Sequence, residues 1–295
     1  MNSEAAAEAL LAAARRVLPL LPLKITQQFG RVLGNIVYAT RPDMRAIAYH
    51  NLSCLLAQPS TAPVVRRAVR GAFQTLLLNY VDMIYTSRFT PAEMLRATEA
   101  VGFERLVEAQ AGGRGVIIAT AHLGSIDQGG QALVVRGARC AVLTEHITPE
   151  WLFRFFVQER SRFGGRVITL DEAVVPHIQQ ALHEGYAVGI ACDWDLQGTG
   201  IPVTVPPLRH ALRIPLGISL LALRQQCPIV PIWAERLSDG RTRVSIEEPF
   251  IPETTVSTRS AIRKTSERIA YQLIAELRRH PHQWVLFHRV WEDDP

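Results

Sequence analysis

Residues 112–130, GGRGVIIATAHLGSIDQGG, carry the side chains in this sequence best suited to chemistry. The apolar run 116–121 predicts a strand, and His122 stands where that strand would emerge. Gly124 permits a sharp turn, and Asp127, five positions past the histidine, falls near the start of the next helix. Catalytic groups of α/β sheets gather at the carboxyl ends of the strands. A carboxylate that accepts the Nδ1 proton would hold the imidazole in one tautomer. Nε2 would then be free to take a proton from an incoming hydroxyl. The hydroxyl itself would be the nucleophile, so no serine or cysteine is needed. His122 as a strand end and Asp127 as a helix cap is the plainer reading, and spacing alone does not choose between the two.

The elements around this stretch alternate. Short apolar runs at 116–121, 140–143, 167–170 and 187–192 predict buried strands, with helical patterns at 149–163 and 172–184 between them. Near-continuous apolar strands joined through helices predict an α/β fold, with a central, mostly parallel sheet flanked by helices. Further strands are expected at 229–234 and 243–247, separated by the Asp239-Gly240 turn signal, and a closing helix over 257–279. Upstream the pattern is helical, and Thr90-Pro91 with Glu93 reads as a helix start. The organisation expected is an N-terminal helical, membrane-apposed region over residues 1–110, integrated with an α/β core over residues 111–295.

With 48% hydrophobic and 20% charged residues, a 295-residue chain can build its core without disulfides or metal. Cys54, Cys140, Cys192 and Cys227 form no C-x-x-C pair, which fits buried apolar roles in a reducing compartment. The net charge of +5 favours an anionic partner: nucleic acid, phospholipid headgroups or a phosphate-bearing co-substrate. No nucleic-acid motif accompanies it, and the basic residues are dispersed. Residues 5–23 are apolar but interrupted by Glu8, Arg15, Arg16, Pro19 and Pro22, whereas a spanning helix needs roughly 20 nearly unbroken apolar residues. An amphipathic segment remains, either lying on a membrane or packing on the core. No G-x-S-x-G elbow is present, which disfavours a serine hydrolase.

The H-x4-D spacing of His122 and Asp127 is similar to the signature of glycerolipid acyltransferases, and further blocks match in order. Arg162-Phe-Gly-Gly-Arg-Val-Ile, Ile190-Ala-Cys-Asp193-Trp-Asp195, the run from Ile214-Pro215 through Pro231, and His280-Pro281-His-Gln283-Trp284 through Trp291 complete the set. Together they resemble the bacterial late acyltransferases of lipid A and the related phosphatidylinositol mannoside acyltransferases, over roughly residues 25–292. The sequence departs at Ser125-Ile126, where those families usually have Asn-Trp, and at Leu196-Gln197 before Gly198.

The resemblance implies acyl transfer without a cofactor, from acyl-CoA or acyl carrier protein as co-substrate to a hydroxyl of a membrane glycolipid; no metal is expected, because Asp193 and Asp195 are two carboxylates without further oxygen ligands. It places the protein, peripheral or monotopic, at the cytoplasmic face of the bacterial inner membrane. His122 would be the base, Asp127 would steady the imidazole, and Arg162 would meet the developing oxyanion, with backbone amides near Gly124 as the alternative. Gly124, Ser125, Asp193 and Asp195 are expected to shape or contact the acceptor site, the two aspartates either orienting substrate or anchoring a loop. Arg209 and Arg213, on a loop, would bind a phosphate or simply be solvated. His210 reads as a surface histidine. Trp284, His288, Arg289 and Trp291 are assigned to packing and local hydrogen bonds. The alternative function is a catalytically inactive lipid-binding protein of the same fold.

Overall fold

The computed structural model describes residues 3–292. Residues 1–2 and 293–295, the outer ends of the two regions expected from sequence, lie outside the described residues. The chain opens with helices α1 (Ser3–Val17), α2 (Leu23–Thr40), α3 (Pro42–Leu56), α4 (Pro63–Thr86) and α5 (Pro91–Ala97). Proline stands in the first turn of α3, α4 and α5, where its missing N–H forfeits no helical bond. Thr90 caps α5: its side chain accepts from Glu93 N, and the Glu93 carboxylate accepts from Thr90 N at 2.7 Å. Helix α2 lies so close to α4 that a Cβ on Gly34 would stand 2.6 Å from the Gln74 Cα, an approach only glycine permits.

Strand β1 (Thr98–Val101) follows, inside the segment that reads as helical; four residues are too few to display a period. Then α6 (Phe103–Ala111), β2 (Val116–Thr120), α7 (Ile126–Val135), β3 (Cys140–Thr144), α8 (Glu150–Ser161), β4 (Arg166–Thr169), α9 (Val174–His183) and β5 (Ala187–Ala191) alternate. A hairpin of β6 (Ile201–Val203) and β7 (Ala211–Ile214) precedes α10 (Leu216–Gln225), β8 (Ile229–Arg236) and β9 (Thr242–Ile246). Helix α11 (Thr258–Arg279) and β10 (Trp291–Glu292) complete the described chain.

Among the described residues the main sheet has seven strands in the order β1-β9-β8-β2-β5-β3-β4. Every pairing is parallel except β8 with β9. This is the α/β architecture that the alternating pattern implies, with the hairpin at Asp239-Gly240 supplying the one antiparallel pair. In the smaller sheet, β10-β7-β6, the β6–β7 hairpin occupies the stretch that reads as a loop; its strands are short, and Pro202, Pro206 and Pro207 mask them in the sequence.

Side chains alternate across the strands. Ile117, Ala119 and Val188 join a core with α9, α10 and α11, while Val116, Ile118 and Ala187 join a second core with α6 and α7. The N-terminal helices share the first core through Leu52, Leu55, Val69 and Phe73, all at most 2% exposed. The sheet is thus held on both faces, and the carboxyl ends of its central strands emerge at one rim.

Candidate active site

Strands β2 and β5 pair in register, with Thr120 opposite Ala191. His122 and Asp193 each follow two residues later, so the chain leaves both strands side by side. His122 Nδ1 lies 3.0 Å from Asp193 Oδ1, and the His122 backbone N–H donates to Asp193 Oδ2, also at 3.0 Å. A third donor, Trp284 Nε1, reaches Oδ2 at 2.9 Å. Asp193 has 0% exposure. A buried carboxyl that receives this many N–H groups is held ionised. Burial opposes the charge, but His122 and the hydrogen bonds outweigh it and keep the Asp193 pKa below the usual carboxylate range.

For the imidazole, too, burial favours the neutral form, and the Asp193 charge and hydrogen bond overcome it. The His122 pKa is raised above its ordinary value. An ionised carboxylate only accepts, so Nδ1 carries the proton between them. Nε2 has no protein partner among the described residues. Chain spacing assigns Nδ1 to Asp127; the structure gives it to Asp193, because α7 carries Asp127 away from the ring.

Asp127 instead accepts from Arg160 Nε at 2.7 Å, and Arg160 Nη1 donates to Thr144 Oγ1 at 2.8 Å. Tyr80 of α4 stands beside them, with its hydroxyl pKa raised by burial and by the Asp127 charge. All four residues line the same cavity as His122.

The C-terminal segment fastens this rim. Val285 N donates to the His122 carbonyl at 2.8 Å, and Gly124 N donates to the Gln283 carbonyl at 2.9 Å. The Gln283 side chain accepts from Arg236 N at 2.7 Å and donates to the Arg236 carbonyl at 3.0 Å, tying the His122 turn to the end of β8. Gly124 has φ 57°, and a Cβ there would run into the Ala234 carbonyl oxygen. Trp284 therefore holds the charged partner of the imidazole, a role beyond the packing and local bonding expected of it from sequence. The adjacent Gln283-Trp284 pair in the last matching block is the signal that points to it.

His122, Asp127 and Arg160 border a cavity of about 510 Å³. Its walls are mostly apolar, including Ile118, Val134, Val142, Leu143, Ile178 and Leu221. Asp195 also borders it and accepts from Gly200 N at 2.6 Å, which folds the 195–200 loop back on itself.

The other expected site residues lie elsewhere. Arg162 is not among the cavity-lining residues: it donates to the Phe89 carbonyl at 3.3 Å and to Gln131 Oε1 at 3.4 Å, and it faces Glu159. Two residues along a helical turn is about 200° of rotation, so Arg160 faces the cavity where Arg162 cannot. Ser125 is buried beside Asp82, at a small cleft behind the cavity. Arg209 is exposed on the loop before β7. Arg213 lies on β7, donates to the Gly200 carbonyl at 2.9 Å and pairs with Glu292. His210 Nδ1 faces the Glu292 carbonyl at 3.3 Å.

The fold and this rim define an α/β protein with a histidine held by a buried carboxylate at the mouth of an apolar cavity. The chain belongs to the bacterial lipid A biosynthesis acyltransferase family, whose pattern it matches over residues 3–293. It is 26% identical over 198 residues to a phosphatidylinositol mannoside acyltransferase of Mycobacterium tuberculosis (strain CDC 1551 / Oshkosh), covering 65% of this chain and 60% of that protein. It is 24% identical over 200 residues to a protein of the same name from Mycolicibacterium smegmatis, covering 66% and 63%. The matches therefore span about 60% of the length of these relatives.

Proposed function

We propose that this protein transfers a fatty acyl group from a thioester, acyl-CoA or acyl carrier protein, to a hydroxyl of a glycolipid. The observation that carries the reading is His122, fixed by buried Asp193 with Nε2 unengaged, at the mouth of the apolar cavity. In the proposed step Nε2 takes the acceptor's hydroxyl proton as its oxygen attacks the thioester carbonyl carbon. The tetrahedral intermediate collapses, the C–S bond breaks, and the imidazolium returns the proton to the leaving thiolate. Ester and free thiol are the products. Arg160, held by Asp127 and Thr144, is positioned to meet the developing oxyanion in place of Arg162. Both relatives are named for a mannoside of phosphatidylinositol, which favours a glycolipid acceptor.

Membrane apposition is part of the same reading. Ile25, Phe29, Val32 and Ile36 form an exposed stripe along α2 at helical spacing, 45–56% exposed, while Thr26, Gln27, Gly30 and Gly34 face inward. Exposed Arg16 and Lys24 flank the stripe, a combination suited to an anionic bilayer surface. Among the described residues no helix is long and apolar enough to cross a membrane. We place the protein on the cytoplasmic leaflet, where both thioester carriers are found.

The test is acyl transfer by purified protein to glycolipid in vesicles, with radiolabelled palmitoyl-CoA as donor. Wild type should form labelled ester, and His122→Ala should abolish it. Full activity of the variant would overturn the mechanism. Bound lipid without turnover, across a panel of donors and acceptors, would establish the lipid-binding alternative instead.

A further inference from the structure

Helix α1 is tied to α8, the helix that carries Arg160. Arg15, near the end of α1, donates from Nη1 to Gln158 Oε1 at 3.2 Å and from Nη2 to Glu159 Oε1 at 3.1 Å. Its guanidinium also lies 5.4 Å from the centre of the Phe155 ring. The Glu159 side chain is 1% exposed. Its other cationic neighbour, Arg162, stands at 3.6 Å, too far for a hydrogen bond. Burial raises the Glu159 pKa, and the Arg162 and Arg15 charges oppose that rise. Among the described residues, Arg15 alone gives this buried carboxylate a hydrogen bond.

Glu159 is also the residue before Arg160. Its carbonyl accepts from Gln131 Nε2 of α7 at 2.8 Å, and Arg160 reaches Asp127 and Thr144 from the same turn. Any rotation or slide of the helix at 159 therefore carries 160 with it. Without Arg15 the carboxylate is left buried with only Arg162 at 3.6 Å to answer it, and α8 must move to bring it to water. Little else holds α1: over residues 7–17 no side chain is fully buried. Its outer side is apolar. Leu10, Val17 and Leu20, the last in the 3₁₀ turn Leu18–Leu20, are 71%, 53% and 76% exposed. Arg15 stands about 140° round the helix from Leu10, at roughly 100° per residue, so α1 turns Leu10 outward while Arg15 points in.

We infer that Arg15 and Glu159 are positioning residues for Arg160, and that α1 is an arm through which contact with a bilayer tightens the site. A bilayer that takes up Leu10, Val17 and Leu20 keeps α1 seated and Arg15 on Glu159. Away from the surface a 15-residue helix packed this shallowly is marginal in water, and the contact opens. The choice of a bilayer rests on the membrane reading above, which exposed Arg16 and Lys24 beside the arm support. The step from Arg15 through Glu159 to Arg160 rests on the contacts alone.

Hydrogen exchange read by mass spectrometry tests the arm without relying on turnover. Vesicles of phosphatidylcholine and phosphatidylglycerol should slow exchange in both α1 and α8 of the wild type. In Arg15→Met, α8 should exchange faster and the vesicles should no longer slow it, although the protein still sediments with them. In acyl transfer from palmitoyl-CoA to phosphatidylinositol mannoside in the same vesicles, Arg15→Met should lower kcat by about 10–100-fold with the donor KM unchanged. Arg15→Met/Glu159→Gln no longer buries an unanswered charge, so it should recover both α8 protection and kcat to within about three-fold of wild type. A residue that merely packs, or that only attracts anionic lipid, would not be rescued by a change at Glu159.

The inference is overturned if Arg15→Met keeps wild-type kcat and α8 exchange, if the double variant is no better than the single, or if vesicles bind without slowing α8. Should Arg15→Met not fold by itself, Glu159→Gln and the double variant are compared: equal kcat and exchange support the coupling, and a further ten-fold loss in the double overturns it. A wild type that ignores vesicles would overturn the membrane reading and the arm with it, and α8 exchange in Arg15→Met would still decide the positioning role. A wild type that binds vesicles and transfers nothing would overturn the acyl-transfer reading, and the exchange results would decide the arm.

Discussion

Replacing Asp193 by asparagine keeps the size of the side chain and removes its charge. In the wild type, Oδ2 accepts from His122 N and Trp284 Nε1, and Oδ1 faces His122 Nδ1. In Asp193→Asn the amide oxygen satisfies the two fixed N–H donors best, which turns the amide nitrogen toward Nδ1. That nitrogen is a donor, so Nδ1 becomes an acceptor and the imidazole proton moves to Nε2. The atom proposed to take the hydroxyl proton is then blocked. The same tautomer error in the catalytic triad of a serine protease lowers kcat by about 10⁴. We expect a loss of about 10³–10⁴, or about 4–5.5 kcal/mol of barrier.

The pH profile supplies a second readout. The Asp193 charge raises the His122 pKa, and the base must be neutral to act, so wild-type activity climbs as pH passes upward through that raised value. Without the charge, any residual activity should reach its plateau at lower pH. Thiol release from acyl-CoA in the presence of acceptor measures both, with circular dichroism confirming the fold. Activity within ten-fold of wild type, or a limb that moves to higher pH, would refute the assignment. So would a greater loss from Asp127→Asn, which would return the imidazole to Asp127.

Trp284→Phe removes one charge-assisted bond to Asp193 and keeps most of the packing. It should cost about 1.5–3 kcal/mol of stability and lower kcat while leaving donor KM unchanged, as urea unfolding and steady-state kinetics will show. Arg236→Met strands the buried Asp82 carboxylate and should destabilise the fold by about 3–5 kcal/mol. Burial already raises the Asp82 pKa; without Arg236 it rises further, so the penalty is present above the unfolded pKa and shrinks as pH falls. Gly124→Ala forces a side chain into the left-handed region against the Ala234 carbonyl, and should cost more stability than the ~1–2 kcal/mol of backbone strain alone, read by urea unfolding. Phe29→Asp should abolish sedimentation with anionic vesicles and leave the melting temperature within a few degrees, because Phe29 is half exposed.

Much of this arrangement is legible in the sequence because it depends on local periods and turns. The apolar runs that form β2, β3, β4, β5 and β8 are short and separated by turn residues or helical patterns. Strand β9 follows the Asp239-Gly240 turn with an alternating pattern, and the Thr90 cap needs only Glu93 three positions on. His122 at the mouth of a strand follows from the run 116–121 and Gly124. The elements that escape a local reading are too short to show a period: β1, with four residues inside a helical stretch, and the β6–β7 hairpin, broken by prolines.

The partners of the site follow a different logic. Asp127 is five residues from His122 and in the structure belongs to Arg160; Asp193 is 71 residues away and holds the imidazole. Spacing along the chain says only that Asp127 begins a helix, and a helix turns its first carboxylate according to its own axis. Asp193 reaches His122 because β5 pairs β2 in register, a long-range hydrogen-bonded alignment that no window of sequence contains. Trp284 enters by the same route, carried to Asp193 by the segment bridged to Leu123. Arg160 and Arg162 are interchangeable as letters until the axis of α8 decides which one faces the cavity. The sequence by itself determined which residues can do the chemistry and that a strand end presents the histidine. The sheet register and helix orientations decided which carboxylate keeps its proton in place, because burial makes a charge count only where the tertiary fold brings its partner into contact.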